Sequence, residues 1–144
     1  MKASPLKTVH VSAAIILRDT PGAPDGGRQV FATERGYGDW KGWWEFPGGK
    51  IETGETAAAA LAREISEELS AQISVGERVA VVDYDYPDFH LCMECFVARV
   101  TGGELKLLEH KSAAWLDAQS LRSVKWLPAD QIVLDKVAAL LTSG

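Results

Sequence analysis

With 144 residues, 47% of them hydrophobic and 24% charged, the chain suits one domain, residues 1–144, built on a single core. It has no apolar run near the roughly 18–20 residues of a membrane-spanning helix, and residues 1–6 lack the apolar centre of a secretory leader, so a cytoplasmic protein without membrane contact is expected. A net charge of −5 argues against electrostatic capture of a nucleic-acid polymer, yet a polyphosphate can still bind where cations stand between the two sets of negative charge.

The first predicted element is residues 9–17 (VHVSAAIIL), whose β-branched and small apolar residues read as a central strand. Residues 19–27 (DTPGAPDGG) form a turn or loose hairpin loop, and residues 29–33 the return strand. Residues 34–42 are again loop-like, and residues 43–46 make a short aromatic strand ending at Pro47. After a glycine-bearing loop at residues 48–54, helix signals start at Thr53 or Thr56, and residues 57–69 are rich in Ala and Leu without Gly or Pro. Strands follow at residues 77–84 and 90–100, joined through the Pro87-Asp88 turn, with a last short strand at residues 113–116. A final helix begins near Pro128, where proline fits a first turn, and runs through Leu141. Mixed strands and two main helices predict an α/β class or α+β sandwich, a mixed sheet flanked by helices. Cys92 and Cys95 form the only CxxC pair, but on a strand an odd offset sends them to opposite faces, so they read as small buried residues rather than a metal or redox pair.

The chemistry concentrates in GKIETGETAAAALAREISEELSA, residues 49–71. At about 100° per residue, Leu61, Ile65 and Leu69 share one stripe facing the core, while Glu64, Glu67 and Glu68 fall on an adjoining arc spaced i, i+3, i+4. Three carboxylates on one arc repel by a few tenths of a kcal/mol per pair. Two of them also oppose the dipole of the helix C-terminal half. A solvated acidic face explains many such patches, but it does not account for the companion loop. There Phe46-Pro47-Gly48-Gly49-Lys50 sets two glycines where backbone can approach a ligand, Glu55 stands at the helix entrance, and Arg63 lies among the carboxylates as a forked partner. Together these point to a divalent-cation site suited to Mg²⁺ or Mn²⁺.

This run resembles the box of the Nudix hydrolases, with Gly49, Glu55, Arg63, Glu64, Ile65, Glu67 and Glu68 at the matching positions. It departs at the end, where Ser70 replaces a glycine and Ala71 a bulkier apolar residue. The glycine position looks like a left-handed helix cap, where Ser70 should cost about 1 kcal/mol. Beyond the box, Trp44 to Lys50, Tyr84-x-Tyr86-Pro87-Asp88-x-His90, and Trp126-Leu127-Pro128-Ala129-Asp130 resemble the MutT-like branch, most of all its CTP pyrophosphohydrolase type.

The resemblance implies Mg²⁺-dependent hydrolysis of (deoxy)nucleoside triphosphates, cytidine or modified ones among them, to the monophosphate and pyrophosphate. It implies Glu64, Glu67, Glu68, the Gly49 carbonyl and Glu109 as metal ligands, with Glu64, Glu67 and Glu109 all candidates for the general base. Arg63 and Glu55 would orient these groups, Arg35 and Lys50 would hold phosphates, and Asp130 would read the base. Glu109 reads equally as an exposed loop acid, Arg35 as a surface arginine, and Asp130 as an acid favoured in a first helical turn. As an ionised acceptor, Asp130 should favour an amino-bearing edge such as cytosine N4. Trp40, Trp43 and Trp44 are candidates for a stacking surface and equally for the core. Rival substrates are 8-oxo-dGTP, ADP-ribose and a dinucleoside polyphosphate. A rival of another class is a nucleotide-binding module without catalysis, against which the complete set Arg63, Glu64, Glu67 and Glu68 argues. A monomer or homodimer is expected.

Overall fold

Strand β1 (Thr8–Asp19) is apolar on both faces: Ala13, Ile15 and Leu17 alternate with Ala14 and Ile16, and none is more than 5% exposed. A strand buried on both faces needs cover on both sides, and the computed structural model, which describes residues 7–20, 22, 27–108 and 110–142, supplies it. Ala14 and Ile16 pack with Phe96, Ala98 and the Leu61–Ile65–Leu69 stripe of helix α1 (Ala57–Leu69). Ala13, Ile15 and Leu17 pack with Met93, Cys95 and residues of α2 (Pro128–Gln131) and α3 (Leu134–Thr142), among them Ala129, Val137 and Leu141.

The sheet order runs β3 (Trp44–Glu45), β2 (Arg28–Glu34), β1, β6 (His90–Gly103), β5 (Ala71–Asp85), with β4 (Gly48–Lys50) on β1 and β7 (Ser112–Leu116) on β2. β1 and β6 are parallel from Thr8↔His90 to Ile16↔Ala98, while every other strand pair is antiparallel. The sheet is therefore mixed and flanked by helices, as the sequence pattern predicts.

Four local details differ from the sequence reading. Residues 48–50 are a strand, not a loop, because glycine lets this segment press against β1: a Cβ on Gly48 would lie 1.9 Å from the Ser12 carbonyl oxygen. The aromatic strand before it keeps only Trp44–Glu45. β5 starts at Ala71, directly after helix α1, since Ala71 is fully buried in the α1 core and three register shifts keep the long strand paired. The last helix is interrupted at residues 132–133, which separates α2 from α3. The expected turn at residues 19–27 and Glu109 lie wholly or largely outside the described residues. Both cysteines are free: Cys95 sits in the α3-side core with its thiol pushed up to about 12 by burial, and Cys92 faces the Asp83 side.

Candidate active site

Helix α1 opens on Thr56, whose side chain accepts from the Ala59 N–H at 3.1 Å, and closes on Ser70 at φ 59°, ψ 31°. The left-handed cap expected at Ser70 is therefore present in a residue with a Cβ, which is a strained choice. Between these ends the apolar stripe fixes the rotation of the helix and turns Glu64 and Glu68 toward a cavity of about 470 Å³. Gly49 makes room for Glu64: a Cβ there would lie 2.3 Å from the Glu64 carboxyl carbon. Lys50 and Ser12 share this wall, and the buried Ser12 hydroxyl has no hydrogen-bond partner among the described residues.

Arg63 organises the outer side of the arc. Its Nε donates to Glu55 Oε2 at 2.7 Å and its Nη2 to Glu55 Oε1 at 2.9 Å, a forked pair. Its Nη2 also donates to the Lys50 carbonyl at 3.1 Å, and its Nη1 lies 3.1 Å from Glu67 and 3.4 Å from Glu64. Glu55 further accepts from the Glu52 N–H at 3.0 Å, and these bonds, Arg63 first, lower its carboxyl to about 2. One arginine thus ties the helix entrance, the glycine strand and the acidic arc together. Glu67 is the outlying member, with its side chain 61% exposed against 16% for Glu64.

The far end of the same cavity is built from distant segments. Trp40, Tyr86, Phe89, Leu91, Met93 and Leu127 make it apolar. Tyr86 and Phe89 are stacked at 27° and 5.2 Å, and Trp40 meets Tyr86 edge-on. Two carboxyls line this end. Glu45 takes Arg35 Nη1 at 3.0 and 3.2 Å, and burial pushes its carboxyl up against the pull of that arginine. Asp130, 4% exposed, accepts from the Phe46 N–H through Oδ2 at 2.9 Å. Burial, reinforced by the charge of Glu45, holds its carboxyl well above the usual carboxylate range. Tyr86 accepts from the Ala129 N–H at 3.2 Å, and burial raises its hydroxyl to about 12.

Gly49, Lys50, Glu64, Glu68, Arg35 and Asp130 therefore line one cavity, while Glu55, Arg63 and Glu67 stand behind its acidic wall. Arg35 is bound to Glu45 rather than reaching toward the acidic arc. Sequence reasoning missed Glu45, His110, Phe89 and Tyr86 as individual lining groups. Glu45 stood inside the quoted Trp44 to Lys50 segment, and burial of a strand acid between two aromatics was the available signal. His110, with its side chain 8% exposed and Nε2 3.9 Å from Glu45, carried none.

Among the described residues no three His, Cys, Asp or Glu side chains lie close enough to chelate an ion by themselves. Two carboxylates on a glycine-lined wall open to a cavity nonetheless fit a hard cation that completes its shell with water and phosphate oxygens. No helix among the described residues is long and apolar enough to cross a membrane.

A family model described as the NUDIX domain matches residues 8–141. The chain is 40% identical over 93 residues to a putative 8-oxo-dGTP diphosphatase 2 of Mycobacterium tuberculosis, a match covering 62% of this chain and 64% of that relative. It is 32% identical over 147 residues to a CTP pyrophosphohydrolase of Escherichia coli, covering 94% of this chain and 95% of that one. Among solved structures, a MutT NUDIX hydrolase from Burkholderia pseudomallei superposes with a TM-score of 0.78 at 25% identity, covering 91% of this chain and 98% of that one.

Proposed function

The chain belongs to the NUDIX family, and we propose that it hydrolyses (deoxy)nucleoside triphosphates, cytidine or modified nucleotides among them, to the monophosphate and pyrophosphate with Mg²⁺, or Mn²⁺ as a substitute. One observation carries this reading: a single cavity joins an acidic, glycine-lined end to an apolar, aromatic end holding a buried carboxyl. A nucleotide has the same polarity, with its phosphates at one end and a flat base at the other. The names of the relatives, CTP pyrophosphohydrolase and 8-oxo-dGTP diphosphatase, support the same substrate class. The protein would act in the cytoplasm, as a monomer or homodimer, on a small-molecule nucleotide.

Phosphoryl transfer asks the protein for positioning and charge neutralisation. Glu64, Glu68 and the Gly49 carbonyl would hold the cation, joined by Glu67 if it leaves Arg63, and the cation would supply neutralisation of phosphate charge and Lewis acidity toward the attacking water. Glu55 and Arg63 keep the arc in place, and the low carboxyl of Glu55 leaves that pair ionised across the working pH range. Lys50 stands at the acidic end as the cation available to a phosphate oxygen. Glu64 is the candidate base inside the cavity; Glu67 and Glu109 remain the others.

At the base end, Asp130 has Oδ2 occupied by the Phe46 N–H. Burial favours its protonated form, which offers a donor as well as an acceptor. This tempers the amino-edge preference expected of an ionised carboxylate and favours a second reading beside cytosine, an oxo-bearing purine such as 8-oxo-dGTP. The deciding experiment is a panel of canonical and modified (d)NTPs with ADP-ribose and a dinucleoside polyphosphate, recording kcat/KM and product identity. Pyrophosphate and a monophosphate from at least one triphosphate are expected. Binding without turnover across the panel would leave only the non-catalytic module.

A further inference from the structure

The aromatic end of the cavity has one finished wall and one open side. Tyr86 is flat against Phe89 and edge-on to Trp40 and Tyr84, so these rings already hold one another in place. Tyr37 is different: it lines the same cavity, pairs with no other ring among the described residues, and is 61% exposed. An exposed aromatic by itself means little. Its tether is what gives this one meaning.

Tyr37 sits between Gly36 and Gly38, the latter at φ 83°, on the loop from β2 to β3. Both roots of this short segment are pinned at the cavity. Arg35 is held by Glu45, and its carbonyl accepts from the Gly42 N–H at 3.0 Å; Trp40 packs edge-on to Trp43 and Tyr86. Two residues of chain reach at most about 7 Å, so the Tyr37 backbone stays beside the pinned Arg35 at the mouth of the cavity, while the flanking glycines leave it free to turn the ring inward. We infer that Tyr37 is a positioning residue that closes over a bound nucleobase and stacks on the face turned away from the Trp40–Tyr86–Phe89 wall. Such stacking needs a π-face and tolerates different bases, which suits a site taking both cytosine and modified purines. The inference rests on the nucleotide reading of the cavity.

The experiment compares the parent protein with Tyr37→Ala and Tyr37→Phe in three measurements: KM and kcat for CTP with Mg²⁺, inhibition by inorganic tripolyphosphate, and calorimetric binding of CMP. Tyr37→Ala should raise KM for CTP and weaken CMP about tenfold, a change of about 1.4 kcal/mol, with kcat moved less than twofold. Tripolyphosphate, which has no base, should inhibit all three proteins alike, and Tyr37→Phe should restore CTP and CMP binding because it keeps the ring. Unchanged CMP affinity in Tyr37→Ala overturns the stacking role, and so does a parallel loss for CMP and tripolyphosphate. If the parent turns over no triphosphate, the hydrolase reading fails separately, and CMP binding still decides the role of Tyr37.

Discussion

The two ends of the cavity were assembled in different ways. The acidic end comes from one continuous stretch, residues 49–69, in which helix periodicity sets the glutamates and a neighbouring glycine strand receives them. The aromatic end draws on the β2–β3 loop, β3, the β5–β6 turn and α2, so that Trp40, Glu45, Phe89 and Asp130 meet only after the sheet has formed. A contiguous site tolerates change elsewhere in the fold. A site gathered from several segments is more sensitive to the buried bonds that join them, such as Phe46 N–H to Asp130 and Ala129 N–H to Tyr86.

The largest expected effect lies at the acidic end. Glu68→Gln keeps the shape but removes a charge facing the cavity, and kcat should fall by at least about a hundredfold, the scale of losing a group that stabilises transition-state charge. Glu67→Gln should do the same if the exposed Glu67 leaves Arg63 for the cation. Both variants should stay folded in the absence of metal, since like-charge repulsion on the arc is relieved. Near-normal turnover of Glu68→Gln at saturating Mg²⁺ would falsify the assignment of the acidic end.

At the base end the next effect separates function from architecture. Asp130→Ala removes the acceptor of the buried Phe46 N–H and should cost about 1–3 kcal/mol of stability. Asp130→Asn keeps an acceptor for that N–H and resembles a protonated carboxyl in offering a donor. Its CTP:UTP ratio of kcat/KM should therefore stay within about threefold of the parent's, and the parent's ratio should not exceed about tenfold, the range of a neutral hydrogen bond. A parent ratio well above this that collapses in Asp130→Asn shows instead that the carboxylate is ionised when base is bound.

A smaller test returns to the contiguous region. Ser70 occupies a left-handed conformation, so Ser70→Gly should relieve about 1 kcal/mol of strain, less the entropy that glycine adds to the unfolded chain. Tm should rise by about 2–4 °C, with kcat and KM unaltered. A lower Tm means that the Ser70 side chain compensates its own strain.

The smallest effect concerns the hairpin behind the base-side wall. His90 presents Nδ1 to Asp85 at 2.5 Å and Nε2 to Asp83 at 2.9 Å, and only the imidazolium can donate through both. Those bonds raise its pKa. A raised folded pKa gives stability that is complete below the ordinary value near 6.5 and is lost as pH rises through the folded value. Between these limits the parent should lose stability relative to His90→Asn as pH increases, and NMR titration of the ring should report the raised pKa. An unshifted ring with parallel stability curves removes this staple.

Sequence alone was enough for the order of the acidic arc because that order is local: a rotation of about 100° per residue places Glu64, Glu67 and Glu68 relative to Leu61, Ile65 and Leu69 before any tertiary contact is made. It was also enough for the left-handed cap at Ser70 and for the mixed, helix-flanked sheet, which follow from position in a motif and from strand composition. The tertiary structure decided what depends on contact between distant segments. It turned Gly48–Lys50 into a strand against β1, divided the last helix, set Glu64 and Glu68 inside with Glu67 outside, and drew Arg35 to Glu45. It also set the surroundings of Asp130, since a carboxyl read as an ionised acceptor in a first helical turn is buried, and burial together with the charge of Glu45 pushes its pKa up. Burial and neighbouring charge belong to the folded arrangement of several segments, and no spacing along one segment encodes them.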